Sequence, residues 1–265
     1  MNGHVDIAAN LAQVQHRIDA AAQRAGRDPT EVTLVAVTKT QPLEVVQAAY
    51  EAGVRHFGEN RVEEGRTKIP LFSEWLSSIS SGVSQTARWH MIGHIQHRKA
   101  ADTLTWFDLT HSVDSLRLAE RLNRLANPEG PAVRILLECN VSGEEGKFGF
   151  PVSQWQTKRE VRDRFFDAVR RFIDLPQISV QGLMTMAPLA ADPEEARPVF
   201  VGLRSLRDAL GETFPTAQWQ HLSMGMTDDF EVAVEEGATL VRIGRAIFGG
   251  PRLHHQDRPI SRVRC

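Results

Sequence analysis

WQHLSMGMTDDFEVAVEEGATLVRIGRAIFG, residues 219–249, contains two short apolar runs on either side of one helical segment. The helix is predicted to begin at Asp228, where Asp228 and Glu231 form a capping box, and to end at Gly237. A strand, a helix and a second strand in this order predict a parallel pair joined by a right-handed crossover. This unit is the pattern from which we predict the fold.

The same alternation extends outward over most of the chain. We count eight apolar or β-branched runs: VTLVAVTK (32–39), RHFGEN (55–60), RWHMIGHI (88–95), WFDLTHSV (106–113), VRILLECNV (133–141), SVQGLMTMAP (179–188), WQHLSMGM (219–226) and TLVRIGRAIFG (239–249). Eight units in a chain of 265 residues favour one closed (β/α)8 barrel, since such barrels commonly have ~250 residues. An open doubly wound sheet is the alternative, because periodicity does not demonstrate closure.

The predicted fold class is therefore α/β, a single (β/α)8 TIM barrel over residues 1–265 with its core at about 32–249. An extra N-terminal helix is predicted from Asn10 to Gly26. Its apolar residues have helical spacing: Leu11, Val14, Ile18 and Ala21 or Ala22.

Other segments are predicted from their local composition. A later helix is predicted to start at Asp192-Pro193-Glu194-Glu195 and to end at Gly211. The serine-rich residues 73–86 are predicted to form a loop or lid, and residues 142–158 a long polar loop. Both loops would lie near the barrel face where the strands end, which carries the active site in barrel enzymes.

The composition argues against several classes of protein. Lysine and arginine number 31 against 33 acidic residues, so the formal net charge of −2 lacks the basic excess of nucleic-acid binders. The apolar runs are far shorter than the ~20 residues that span a bilayer, and the N-terminus lacks a signal-peptide pattern. Cys139 and Cys265 have no metal-site or disulfide spacing. We expect a cytoplasmic monomer with neither a membrane nor a nucleic-acid partner.

Lys39 ends the first run and is predicted to point into the mouth of the barrel. A lysine amine held out of water is nucleophilic enough to form an imine with a carbonyl ligand. The other interpretation is a solvated lysine at a strand end, and position alone favours it, since most lysines are exposed. The chain has five lysines, so this chemistry has few candidate positions: 39, 68, 99, 147 and 158.

Two neighbouring loops have the features of a phosphate site. Ser223-Met224-Gly225 precedes a helix N-terminus, where a serine hydroxyl and backbone amides suit an anion. Gly244-Arg245 follows the last run, and the absence of a side chain at Gly244 lets the backbone approach a ligand. The loops after the seventh and eighth strands are the usual phosphate site of this barrel. Either loop alone is typical of a turn, but together they predict phosphate recognition.

Arg242 lies two residues before Gly244, so its side chain is predicted to point into the barrel. A buried guanidinium needs partners. They are either a core carboxylate, Glu138 or Glu59, or a nitrogen or anion of a ligand. Asn60 is either a helix N-cap or a pocket residue at the end of the second strand.

His90 and His94 lie on one side of the third run and raise the question of a metal site. No acidic or cysteine ligand accompanies them at a recognisable spacing. We therefore expect no metal and interpret them as hydrogen-bonded histidines of the barrel.

Taken together, these motifs resemble the pyridoxal phosphate homeostasis protein family, which is similar to the barrel half of alanine racemase. The resemblance runs in order from about residue 32 to residue 249. It rests on VTKT (37–40), FGEN (57–60), WHMIGHIQ (89–96), GLM (182–184), LSMGMTDDF (222–230) and VRIG (241–244).

The resemblance implies pyridoxal 5'-phosphate as the cofactor, held as a Schiff base on Lys39, with Arg242 facing the pyridine nitrogen. The expected cofactor-binding residues are Lys39, Asn60, His90, Ser223, Met224, Gly225, Arg242, Gly244 and Arg245. No residue is assigned as catalytic.

The resemblance also bears on catalysis. Alanine racemase uses a tyrosine placed by a second, β-rich domain. Here only 16 residues follow Gly249, and the sole tyrosine, Tyr50, lies in the first barrel helix. Arg242 at the pyridine nitrogen would also weaken the ring as an electron sink, which racemases on this fold tolerate when a second acid/base group is present. We expect a non-catalytic protein of intracellular pyridoxal phosphate homeostasis, with pyridoxal phosphate-dependent apoenzymes as partners. The alternatives are an amino-acid racemase or related pyridoxal phosphate enzyme, and a sugar-phosphate enzyme with an aldolase-type Schiff base on Lys39.

Overall fold

The computed structural model describes residues 5–79 and 86–249. Its strands are β1 (Thr33–Val37), β2 (His56–Glu59), β3 (Arg88–Met91), β4 (Leu109–Val113), β5 (Val133–Asn140), β6 (Phe150–Pro151), β7 (Ile178–Met184), β8 (His221–Ser223) and β9 (Leu240–Ile243). Its α-helices are α1 (Ile7–Arg24), α2 (Leu43–Glu51), α3 (Val62–Ile79), α4 (Ala100–Trp106), α5 (Leu116–Leu125), α6 (Arg159–Ile173), α7 (Arg197–Thr213), α8 (Phe230–Glu235) and α9 (Arg245–Phe248).

Eight parallel strands of the described residues close into a barrel. Hydrogen bonds join them in the order β4-β3-β2-β1-β9-β8-β7-β5, and β5 also pairs with β4, which closes the sheet. The short strand β6 pairs with the end of β5 at Cys139 and Phe150 and lies outside this ring. The predicted (β/α)8 barrel is confirmed, and the open-sheet alternative is wrong.

The extra N-terminal helix is also confirmed, as α1. Asp6 caps it by accepting a hydrogen bond from the Ala9 amide at 2.9 Å. The helix packs against α8 and α9, and Asn10 Nδ2 donates to the Ile247 carbonyl at 2.9 Å. Its buried residues are the predicted ones: Leu11, Val14, Ile18, Ala21 and Ala22.

The serine-rich stretch differs from its prediction as a loop or lid. Residues 73–79 belong to α3, and residues 80–85 lie outside the described part of the chain. An apolar stripe at helical spacing outweighs the low helix propensity of serine. This stripe packs on the core through Ile69, Phe72, Trp75 and Leu76.

The capping box predicted at Asp228 is wrong, because α8 begins two residues later, at Phe230. The Asp229 carboxylate accepts a hydrogen bond from the Met226 amide at 2.6 Å, which fixes the turn before the helix. Glu231 instead forms an ion pair with Arg17 at 2.7 Å.

The later helix also has different bounds from those predicted. Asp192 does cap it, since its carboxylate accepts from the Glu194 amide at 3.0 Å, but the first turn, Pro193–Ala196, is 3-10 in form. The helix then continues past Gly211 to Thr213. The predicted loop over 142–158 is confirmed apart from the two residues of β6.

The inner face of the barrel positions the site. An apolar layer inside the barrel consists of Val35, Leu109, Leu136, Met184 and Leu240. Side chains two residues further along each strand face the same way. On four of these strands the next inward residues are Val37, His111, Glu138 and Arg242, so polar groups lie above the apolar layer.

No helix in the described residues combines the length and the apolar character that crossing a membrane requires.

Candidate functional site

A cavity of about 560 Å³ opens where the barrel strands end. This volume lies in the range of small-molecule sites, and this face of a barrel is the one that carries them. Five of the residues predicted for the site line the cavity: Lys39, Asn60, Arg242, Gly244 and Arg245. The loops after β5, β7 and β8 complete the wall.

Lys39 lies at the rim of the cavity, two residues beyond Val37, which also lines it. The residue is exposed, as the interpretation from position alone predicted. The next residue, Thr40, has φ +60°, which is uncommon for a β-branched residue. Its amide donates to Glu64 Oε2 at 2.8 Å. This bond holds the strained turn that directs Lys39 to the cavity.

A second lysine lies close to the end of β1 but is fully engaged. Lys68 Nζ donates to Glu59 Oε1 at 2.6 Å and to the Thr38 carbonyl at 2.8 Å. Thr38 Oγ1 donates to the same carboxylate oxygen at 2.7 Å. Burial raises the pKa of Glu59, and the bonds from Lys68 and Thr38 offset part of that rise. Lys68 therefore supports the strand beneath Lys39.

Asn60 lines the cavity at the end of β2, as the pocket interpretation predicted. Its Oδ1 is buried and has no hydrogen-bond partner among the described residues. The neighbouring loop comes very close, because a Cβ at Gly93 would lie 2.3 Å from the Asn60 carbonyl oxygen. Glycine at position 93 is therefore required to keep Asn60 at the cavity wall.

Arg242 points into the barrel as predicted, but its partners are uncharged. Its Nη1 donates to Ser223 Oγ at 2.6 Å, and its Nη2 donates to the Thr185 carbonyl at 2.9 Å. Glu59 pairs with Lys68, and no ion pair joins Arg242 to Glu138 among the described residues. Burial lowers the pKa of Arg242 to about 10. The guanidinium thus stays charged at neutral pH, and as a pure donor it offers hydrogen bonds to an acceptor in the cavity.

Glu138 is a cavity residue that the sequence suggested only as a partner for Arg242. Strand β5 lies four strands from β1 in either direction, so Glu138 faces Lys39 across the barrel mouth. The residue is 3% exposed, and its Oε2 has no hydrogen-bond partner in the described residues. Burial raises the pKa of Glu138 to about 7, with a further contribution from the charge of Asp114. Glu138 lies within the apolar run of β5, two residues after the inward-facing Leu136, so strand alternation was the signal that could have placed it in the cavity.

The two loops predicted for phosphate meet at one end of the cavity. Residues 226–229 and Gly244-Arg245 line it together. Helix α9 begins immediately after Gly244, so its first amides have no partner within the helix. The Arg245 guanidinium is hydrogen-bonded to the Asp228 carboxylate across the two loops. This end of the cavity therefore combines backbone donors with the ion pair of Arg245 and Asp228, and the Asp229 carboxylate also lines it.

Four predicted residues lie outside the cavity lining: His90, Ser223, Met224 and Gly225. Ser223 is fully buried and binds Arg242 from within the barrel. The Met224 amide donates a hydrogen bond to the Leu240 carbonyl at 3.1 Å. Gly225 has φ +92°, and a Cβ there would lie 2.6 Å from Ala233 Cβ. The SMG motif thus shapes the loop and supports Arg242, and the part of the loop that lines the cavity begins at Met226.

The two histidines of the third run have separate surroundings. His90 is buried and lies between His56 and His111, at 2.9 and 2.8 Å. His94 forms a pair with Asp114 at 3.0 Å, and its ring stacks on Phe148 with the centroids 4.0 Å apart. Across residues 5–79 and 86–249, no three His, Cys, Asp or Glu side chains group as metal ligands would. Hydrogen-bonded barrel histidines are the correct interpretation of His90.

Comparison with known proteins defines the class of this barrel. Residues 9–251 match the family described as alanine racemase, N-terminal domain. A pyridoxal phosphate homeostasis protein of Escherichia coli (strain K12) is 39% identical over 244 residues, which cover 92% of this chain and 96% of the relative. The chain therefore belongs to the pyridoxal phosphate homeostasis protein family, as its motifs indicated.

Solved structures agree with this assignment. A protein described as unknown from Bifidobacterium adolescentis is 35% identical with a TM-score of 0.80, over 91% of this chain and 94% of that one. PipY of Synechococcus elongatus PCC7942, solved with PLP bound, is 32% identical with a TM-score of 0.74. That match covers 92% of this chain and all of PipY, 100%.

Proposed function

We propose that this chain holds pyridoxal 5'-phosphate as a Schiff base on Lys39 and keeps it available without turning over a substrate. The observation that carries this proposal is the single cavity that brings together Lys39, Arg242 and both phosphate-suited loops. Family membership supports it, because related proteins are named for pyridoxal phosphate homeostasis and PipY was solved with PLP bound.

The residues at the cavity fit this group chemically. When bound, pyridoxal phosphate supplies an aldehyde that condenses with an amine and a ring that withdraws electrons. Lys39 is the amine at the rim. We assign the phosphate to residues 226–229 with Gly244 and Arg245, where backbone amides and a guanidinium suit an anion. Asn60 Oδ1, a buried acceptor without a partner in the described residues, suits a donor group of the ligand.

Arg242 lowers the reactivity of the ring in this proposal but does not by itself exclude catalysis, since racemases on this fold tolerate an arginine at the ring nitrogen. A guanidinium can only donate, so it binds a ring nitrogen that carries no proton. An unprotonated ring withdraws electrons less strongly, which slows reactions that need a stabilised carbanion. Ser223 and Thr185 hold the guanidinium in place.

The tyrosine of the chain does not supply an acid or base at the cavity. Tyr50 is buried in α2, with its ring centroid 5.5 Å from that of Phe72 and 5.8 Å from that of Trp75. An amino-acid racemase remains the second candidate because of one observation. Glu138, with a pKa of about 7, lines the cavity opposite Lys39 and is able to exchange a proton near neutral pH.

The cellular role is proposed from the resemblance to the family and from the composition of the chain. We propose that the protein acts in the cytoplasm as a monomer and that its partners are pyridoxal phosphate-dependent apoenzymes. Size-exclusion chromatography with light scattering tests the monomer, and transfer of the cofactor to an apoenzyme tests the partner class.

The test of the Schiff base is spectroscopic. Adding pyridoxal phosphate to the purified protein is expected to produce an imine absorbance band that Lys39→Ala abolishes. The exposed Lys158→Ala is the matched control and should keep the band. Borohydride reduction and peptide mass mapping should then find the modification on Lys39 among the five lysines. An unchanged band in Lys39→Ala, or a modification on another lysine, would show the assignment to be wrong.

Two further arms separate the candidate functions. Arg242→Ala should retain the imine band in a shifted form, because the ring loses its donor but not its amine. Single-enantiomer amino acids incubated with the loaded protein should keep their optical rotation. Sustained racemisation, lost in Glu138→Gln, would replace the non-catalytic role by the racemase.

A further inference from the structure

A continuous hydrogen-bonded chain of side chains runs through the barrel beneath the cavity. His56 Nδ1 lies 2.9 Å from His90 Nε2, and His90 Nδ1 lies 2.8 Å from His111 Nε2. His111 Nδ1 lies 2.8 Å from Ser223 Oγ, which accepts a hydrogen bond from Arg242 Nη1 at 2.6 Å. The chain crosses from β2, β3 and β4 to β8 and β9.

The guanidinium of Arg242, at one end of this series of hydrogen bonds, determines which atom donates in each of them. A guanidinium has no acceptor, so Ser223 Oγ must accept from Arg242. The hydroxyl proton of this fully buried serine then needs an acceptor, and His111 Nδ1 is the one within reach among the described residues. A proton on His111 Nδ1 would instead leave the hydroxyl proton buried and unpaired, which is unfavourable.

The same reasoning passes along the histidines. If His111 Nδ1 accepts, its proton is on Nε2 and is donated to His90 Nδ1. The proton of His90 is then on Nε2 and is donated to His56 Nδ1. Burial lowers the pKa of His90 and of His111 well below the ordinary histidine value, and it lowers the pKa of His56 as well, so all three rings are neutral around pH 7. One proton arrangement satisfies every group in the chain.

We propose that Ser223 and His111 are positioning residues that orient Arg242 toward the cavity, and that Arg242 in turn fixes three barrel histidines as neutral Nε2–H tautomers. This inference goes beyond the proposed function, because it concerns the protein without any ligand. It also gives Ser223 a role behind the cavity wall, where its hydroxyl is fully committed to Arg242 and His111.

The test is long-range proton–nitrogen correlation NMR of the histidine rings in the ligand-free 15N-labelled protein at neutral pH. We expect His56, His90 and His111 each to show a protonated Nε2 and an unprotonated Nδ1. Ser223→Ala removes the donor to His111 Nδ1, so His111 should become a mixture of tautomers. Ser223→Thr keeps a hydroxyl and should restore the wild-type pattern.

Ser112→Ala is the matched control. Ser112 is a buried serine on β4 beside His111, but its hydroxyl donates to the Gly93 carbonyl at 2.6 Å and takes no part in the hydrogen-bonded series from His56 to Arg242. Its loss should leave all three tautomers unchanged. An Nδ1–H tautomer at His90 or His111 in the wild type would overturn the proposal. So would a Ser223→Ala spectrum identical to that of the wild type. If Ser223→Ala fails to fold, the wild-type and Ser223→Thr spectra still show whether the three histidines are Nε2–H tautomers.

A second arm measures the positioning role and rests on the proposed function. Ser223→Ala should weaken pyridoxal phosphate binding about fivefold, the effect of one lost hydrogen bond. The imine on Lys39 should still form. A wild-type affinity in this variant would remove the positioning role and leave the tautomer assignment to the NMR result. A failure of all pyridoxal phosphate binding in the wild type would overturn the proposed function instead.

Discussion

Replacing Glu138 by glutamine removes a titratable group from the cavity wall and keeps nearly the same shape. Glu138 is 3% exposed, and its pKa is raised to about 7 from an ordinary value of 4.5. Between these two pH values the folded protein therefore binds a proton that the unfolded chain has released. Because the folded state binds more protons, its stability falls as the pH rises through this window.

The size of the effect follows from the difference between the two pKa values. Each unit is worth about 1.4 kcal/mol, so ionising Glu138 costs the folded state roughly 3 kcal/mol once the pH is above 7. Glu138→Gln does not carry this cost. Its free energy of unfolding relative to the wild type should therefore increase by about 2–3 kcal/mol between pH 5 and pH 8.

Urea unfolding of the ligand-free protein at pH 5, 6, 7 and 8 measures this difference. Glu145→Gln, an exposed glutamate in the loop after β5, is the control and should run parallel to the wild type at every pH. A difference between Glu138→Gln and the wild type that stays constant with pH would refute the reasoning, since it would mean that Glu138 titrates alike in both states.

Two further substitutions test the support of the site. Lys68→Met leaves the fully buried Glu59 without its counter-charge and should lower the free energy of unfolding by about 3–5 kcal/mol, whereas the double variant with Glu59→Gln should lose much less. Equal losses in urea unfolding would contradict this pairing. Gly225→Ala should cost about 2–4 kcal/mol because of its φ of +92° and the contact at 2.6 Å, and Gly211→Ala, with its nearest neighbour at 3.8 Å, should gain up to about 1 kcal/mol. Equal thermal stability of the two glycine variants would show that the close packing of Gly225 is not required.

The barrel and one wall of its site were predictable because both depend on local periodicity. Parallel strands need helical crossovers, so the alternation of runs indicated the architecture. Residues two positions apart on a strand share a face, which correctly placed Lys39 after Val37 and Arg242 before Gly244 at the cavity.

The role of Ser223 was not predictable, because its partner is distant in the sequence. The SMG motif has the composition of an anion-binding loop, yet Ser223 is the last residue of β8 and its side chain faces inward. Its hydroxyl meets His111, which lies 112 residues away, and no local pattern indicates that contact. The extent of α3 depended on tertiary packing in the same way.

The packed interior of the barrel determines how a ligand has to leave. Inward-facing side chains fill the barrel below the cavity in the described residues: Val35, Leu109, Leu136, Met184 and Leu240. Uptake and release therefore share the mouth that Phe148 and Leu189 flank, both about half exposed. In the proposed role, any molecule that covers this rim stops loading and unloading together. Binding and release of the cofactor are then controlled at the same opening.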